Sequence, residues 1–189
     1  MKYEALQAER YYHIYNRGNN KENIFFENRN FEYFLLLLEK HVSPVADIYA
    51  YCLLNNHFHL LVKTKNVENE TLLSKGFSNF FNAYSKAINK SYNRSGSLFQ
   101  DRFKRIIIED EEYFKTLILY IHLNPTNHKF TEDFRSYSYS SYPALINDQP
   151  TFLQRDEVLN LFGSVSNFEN VHLQRQEEIS EMNNDLFLE

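Results

Sequence analysis

The stretch "VADIYAYCLLNNHFHLLVKT", residues 45–64, decides the fold. Two apolar runs rich in β-branched and aromatic residues flank Asn55-Asn56. Asparagine tolerates positive φ, so the pair suits a tight turn between antiparallel strands over 45–54 and 57–64. In an extended chain residues i and i+2 stand on one face. His57 and His59 therefore share a face, while Phe58, Leu60 and Val62 occupy the other. Two imidazoles so placed can grip one divalent cation. They serve equally as two half-buried polar residues with local partners, and the spacing alone leaves both readings open.

Outward from this hairpin the chain alternates between the two periods. "YYHIYNRG" (11–18) reads as a strand that ends in a turn, and "NRNFEYFLLLLEKHV" (28–42) as a helix with Asn28 or Asn30 near its N-cap. Residues 69–93 place Leu72, Leu73, Phe77, Phe80, Phe81, Tyr84 and Ile88 at helical spacing. "SLFQDRFKRIIIE" (97–109) alternates and then turns solidly apolar, as a strand does. Residues 109–125 read as a helix with acids in its first turn and proline just past its end.

The order β-α-β-β-α-β plus a further helix predicts an α/β (α+β) fold, a ferredoxin-like split βαβ sandwich. Its sheet is antiparallel, the histidine strand lies in the middle, and the last helix lies on the sheet. Residues 135–146 read as an irregular tyrosine/serine connection. After Pro150, "RDEVLNLF" is a short amphipathic helix, and the acidic tail beyond it is expected to fray at its end. The domain expectation is a main unit over 1–150 and a helical extension with an acidic tail over 151–189.

Composition bounds the function. A chain of 189 residues with 43% hydrophobic and 16% aromatic content fits one sizeable domain plus an appendage. A single cysteine, Cys52, suits a reducing compartment. With no apolar leader and no run long enough for a membrane span, the expectation is a soluble cytoplasmic protein. Net charge is −5, yet residues 86–105 hold six basic side chains against Asp101, and residues 156–189 hold eight acids against Arg175. Local clusters set the electrostatic footprint on phosphates, and a global sum hides them.

On the helix from Glu111 onwards, Tyr113, Leu117, Tyr120 and Asn124 share a face, while Phe114, Ile118 and Ile121 form an adjoining core stripe. Tyr120 and Asn124 are thus one turn apart. Laid across the histidine face, this helix offers a phenol and an amide oxygen to a bound cation, although a helical tyrosine is more often a core residue.

Here the chain resembles a known family. "NNHFHLLVK" resembles the histidine–hydrophobic–histidine (HUH) motif, and "YIHLNP" resembles the tyrosine-helix signature of single-tyrosine HUH transposases. "YHIYNRGNNKENIFF", "GSLFQDRFKR" and "YSSYPALI" match in the same order, from about Tyr11 to Phe162. The chain is similar to insertion-sequence-200-like transposases, in particular their REP-associated tyrosine transposase branch. The departures are the overall acidity and "PTNHKF", which replaces a commoner alanine-containing continuation.

The resemblance implies cleavage and rejoining of single-stranded or hairpin DNA through a 5′-phosphotyrosine intermediate, at the nucleoid, by a monomer or homodimer. It implies Tyr120 as nucleophile, His57 and His59 as catalytic metal ligands, and Asn124 as third ligand for Mg or Mn. Arg94, Arg102, Lys104 and Arg105 are the phosphate-contact candidates, with Arg17 and Lys21 as weaker ones. Tyrosines between Tyr137 and Tyr142 can stack on bases, although plain packing is the simpler reading. His13, His41, His122, His128 and His172 read as ordinary polar residues, with His122 near the substrate as an option. Two rival readings are an RNA-recognition-motif-like binding module without catalysis and a metal phosphodiesterase that uses water.

Overall fold

The hairpin forms across Asn55-Asn56: β2 (Ala46–Leu54) and β3 (His57–Thr64) pair antiparallel, with His57 opposite Leu54 and His59 opposite Cys52. β1 (Tyr11–Arg17) lines the other edge of β3, setting Tyr15 opposite His59 and Arg17 opposite His57. β4 (Lys104–Ile108) adds outside β1, so the sheet order is β2-β3-β1-β4 and every neighbour is antiparallel. The computed structural model describes residues 5–185, with side-chain surroundings through Ser180.

Both faces of the sheet are covered, which is why β3 is buried almost end to end. On one face lie α1 (Asn28–His41) and α2 (Thr71–Ser91). Phe34 of α1 meets Phe80 of α2 at 4.6 Å and Phe58 of β3 at 5.2 Å between ring centroids. Gly76 permits that closeness: a Cβ there would meet the His41 carbonyl oxygen at 2.9 Å and Val45 Cγ2 at 2.6 Å. A mid-helix glycine costs about 1 kcal/mol in propensity, and here the packing needs it.

The opposite face carries α3 (Glu111–Asn127). Its Phe114 packs on Tyr11 at 4.9 Å and Tyr49 at 5.4 Å. Ile118 and Ile121 are fully buried, as the adjoining stripe predicts. Asp110 caps the helix by accepting from the Tyr113 backbone N–H at 2.7 Å, and Glu111 and Glu112 fill the first turn.

Several boundaries differ from the sequence expectation. The N-cap of α1 is Glu27, in a capping box with Asn30. Regular pairing in the 97–109 segment begins only at Lys104, because Leu98, Phe99 and Phe103 all turn into the core where an alternating strand would expose some of them. Phe103 meets Phe81 at 5.2 Å, and the chain bends at 101–102 to bring it there. Pro125 lies inside the last turn of α3, where it removes the helix bond to the Ile121 carbonyl shortly before the helix ends.

Beyond the sandwich come α4 (Tyr142–Ile146), α5 (Arg155–Phe162) and α6 (Val165–Asp185). The acidic stretch is helical because buried Phe168 and His172 give it an apolar anchor beside α3. The expected fraying falls at residues 186–189, outside the described residues. Among the described residues no helix is long and apolar enough to cross a membrane.

Candidate metal centre and nucleic-acid groove

Strand alternation and the β1–β3 register build the site. His57 and His59 stand on the α3 face of the sheet with ring centroids 5.4 Å apart, and both are largely buried. His57 Nδ1 lies 2.7 Å from Asn56 Oδ1, an acceptor, so His57 carries its proton on Nδ1 and leaves Nε2 open. His59 Nδ1 is 2.9 Å from Nε2 of His13 on β1. Each ring is thus held by one nitrogen, the arrangement that orients a metal-ligating imidazole.

Burial dominates the titration of these rings. Desolvation, helped by the positive character of His128 and Arg17, lowers His57 to about 4. Desolvation holds His59 well below the usual histidine range, and lowers His13 to about 4. All three are neutral near pH 7, the form that binds cations. Burial pushes the Cys52 thiol well up, so it stays protonated beside this face.

Asn124 is fully buried one turn beyond Tyr120. Its Nδ2 donates to the Tyr120 carbonyl at 3.1 Å, while its Oδ1 has no hydrogen-bond partner. The amide is close enough to His57 to favour that ring's protonation, although no well-formed hydrogen bond joins them. A buried acceptor left unpaired costs about 1–3 kcal/mol. Two imidazole nitrogens and this orphaned oxygen fit a small divalent cation with N/O preference, such as Mg or Mn. Among the described residues no group of three or more His, Cys, Asp or Glu is placed to hold a metal.

Tyr120 is 43% exposed, whereas Leu117, on the same helix face, is buried. Its ring centroid lies 5.4 Å from that of His59 and 6.4 Å from that of His13. The phenol borders a cavity of about 830 Å³ lined also by His57, His59, Arg17, Arg102 and Lys104. Three of the six basic candidates therefore meet the histidines and the tyrosine in one groove.

The other three sit elsewhere. Arg105 lines an adjoining cavity of about 780 Å³ beside α2, which shares Asn16, Gln100, Asp101 and Arg102 with the groove, and its guanidinium lies 4.3 Å from the Phe103 ring centre. Arg94 is ion-paired with Glu22 at 2.7 Å, and Lys21 is exposed in the 3₁₀ turn Asn19–Lys21; neither lines the groove.

Two histidines escaped the sequence reading. His13 supports His59, and His128 places its ring 5.0 Å from that of His57 while lining the groove. The signals were present: His13 is two residues from Tyr15 on a strand, and His128 is one turn from Asn124. His122 instead faces away, bonded to His172 at 2.8 Å and Ser141 Oγ at 2.8 Å. The tyrosines of the connection are packing residues: Tyr137 donates to the Leu53 carbonyl at 2.8 Å, Tyr139 stacks on Phe31 at 3.8 Å, and Tyr142 is fully buried.

The sequence profile described as "Transposase IS200 like" matches residues 7–124. The chain belongs to the IS200-like transposase family. The span matched to IS200-like transposases takes in both histidines and Tyr120 and ends on Asn124. Among solved structures, the chain is similar to a REP-associated tyrosine transposase bound to a REP hairpin. The TM-score is 0.59 at 14% identity, over 77% of this chain and 84% of that one, a likeness of fold. No curated protein sequence matches this IS200-like transposase.

Proposed function

We propose that this transposase cleaves and rejoins single-stranded DNA beside hairpins, with Tyr120 as the nucleophile. The observation that carries the reading is the half-exposed Tyr120 ring at the groove that also holds His57, His59, Arg17, Arg102 and Lys104. Nucleophile, cation ligands and phosphate-binding charges share one space. The hairpin substrate class rests on the fold neighbour's REP hairpin and on the motifs shared with the REP-associated branch.

In the forward step the Tyr120 oxygen bonds to a backbone phosphorus as the bond to the 3′-oxygen breaks. The phenolic proton goes to solvent, and the departing 3′-oxygen takes one up. A phenol with an ordinary pKa of about 10 needs a polarised phosphorus to react near neutrality. A divalent cation, when bound, supplies Lewis-acid stabilisation of the phosphate oxygens. His57, His59 and Asn124 would hold it, with Asn56 and His13 fixing the two rings. Arg17, Arg102 and Lys104 neutralise the strand's charge and orient the phosphate in line. The phosphotyrosine ester keeps the bond energy, so a 3′-hydroxyl reverses the step without ATP. We assign this chemistry to the unit over 1–150, with 151–189 as its helical extension.

An RNA-recognition-motif-like module needs an open sheet face for stacking, and here Phe114 covers Tyr11 on that face. The test is incubation of a single-stranded DNA hairpin with the protein and manganese, read on a denaturing gel. The parent forms a covalent protein–DNA adduct, and Tyr120→Phe forms none while still binding DNA. Cleavage by Tyr120→Phe near the parent rate would falsify the assignment in favour of a water nucleophile.

A further inference from the structure

Tyr120 stands between two cavities of opposite character. The basic groove lies on one side. On the other, a cavity of about 450 Å³ opens between the sheet, α3 and α6, and the two share Tyr15, His59 and Tyr120 as lining. Ile106, Tyr113 and Tyr120, each more than 40% exposed, all line this second cavity. Exposed apolar side chains scattered singly need no explanation, but three gathered around one hollow do. Arg175 is the sole basic residue among residues 156–189, set against eight acids, and it also lines this cavity, held by Glu178 at 2.7 Å. Thr116 and Asn127 add uncharged polar groups to the wall.

We propose that this cavity binds an unpaired nucleobase of the strand whose phosphate occupies the basic groove. The inference rests on the reading of Tyr120 as the nucleophile. A phosphate in the groove against Tyr120 carries its sugar and base only a few bonds away. The base is planar, weakly hydrated on its faces and polar at its edge. Tyr15 and Tyr113 offer rings for those faces, and Thr116, Asn127 and Arg175 offer partners for the edge. A second phosphate does not suit walls this apolar, and continuity with the groove favours the same strand over a separate ligand. Stacking tolerates any base, so the site adds affinity to every sequence, with some preference from the polar edge.

The test compares two probes of equal length, a single-stranded oligothymidylate and an abasic sugar–phosphate chain, by fluorescence anisotropy at fixed salt. The parent binds the base-bearing probe more tightly. Tyr113→Ala loses about ten- to a hundredfold of affinity for it and almost none for the abasic chain, while Tyr113→Phe keeps the parent's preference. Equal weakening for both probes, or no change for either, overturns the base site. The adduct assay on the parent separates the two readings. If an adduct forms and Tyr113→Ala retains the preference, the base site is wrong and the nucleophile stands. If no adduct forms and Tyr113→Ala loses the preference, the base site stands without the chemistry. A change in solution mass for Tyr113→Ala with the preference intact would make the cavity a contact between copies of this chain and overturn the base site.

Discussion

His13 and His59 face each other across β1 and β3 with 2.9 Å between His13 Nε2 and His59 Nδ1, their rings stacked 5.1 Å apart. The contact fixes the rotation of His59 and leaves its Nε2 directed away from His13. Outer partners of this kind are worth about 10–100-fold in metal affinity. His13→Ala should therefore weaken manganese binding by that factor in a calorimetric titration, with partial recovery in His13→Gln. Unchanged affinity would remove His13 from the support of the centre.

The proposed role of Asn124 as a cation ligand is tested by its acid. Asn124→Asp places a carboxylate at a fully buried position, which destabilises the metal-free protein. Binding to the native state alone then returns stability by mass action. Thermal melts should show a lower Tm than the parent without manganese, by about 2–4 °C for each kcal/mol lost. They should also show a larger manganese-dependent gain. A variant that melts lower and does not respond to manganese would argue that Asn124 only packs.

The third expectation concerns acid. His172 Nδ1 donates to the Phe168 carbonyl at 2.7 Å, so its Nε2 accepts from His122 Nδ1 at 2.8 Å. His122 Nε2 lies 2.8 Å from Ser141 Oγ. This chain joins α6, α3 and the start of α4, and the bond between the two rings is lost once both are protonated. Burial lowers His172 to about 4 and holds His122 well below its usual value. The unfolded chain therefore binds protons before the native one does. The stabilisation is complete above pH about 6.5 and is lost as pH falls towards 4, about 3 kcal/mol from His172 alone. Urea denaturation at pH 7 and pH 4.5 should register the loss, and His172→Gln should shrink it. An equal loss in that variant would place the titration elsewhere.

Arg17 and Arg94 should separate cleanly. Arg17 lines the groove, so Arg17→Ala should reduce the salt dependence of DNA binding by about one phosphate contact. Arg94 is held by Glu22 outside it. Arg94→Ala should cost under about 1 kcal/mol of stability and leave the salt slope alone. Identical slopes for Arg17→Ala and the parent would remove Arg17 from the phosphate path.

Much of the candidate site's geometry was legible because short-range spacing carries it. The i, i+2 relation of His57 and His59 follows from any strand, and the i, i+4 relation of Tyr120 and Asn124 from any helix. The alternation of periods was enough for the split βαβ order. What failed locally failed for a tertiary reason. Leu98, Phe99 and Phe103 look like an alternating strand, yet all three are drawn into the core, so the chain bends before β4. The acidic run after Val165 reads as a tail, yet Phe168 and His172 pin it as a helix.

By itself the sequence determined the strand that bears the histidines, the helix that bears Tyr120 and Asn124, and the order in which they occur. Only the tertiary structure decided what surrounds them. It set His13 against His59 by the β1–β3 register, turned His128 towards His57 and His122 away, and left Tyr120 exposed beside buried neighbours. It also divided the basic residues, Arg17, Arg102 and Lys104 on the groove and Arg94 on Glu22. The physical reason is that periodicity fixes which side chains share a face, whereas which face meets which depends on strand register and helix packing among residues far apart in the chain.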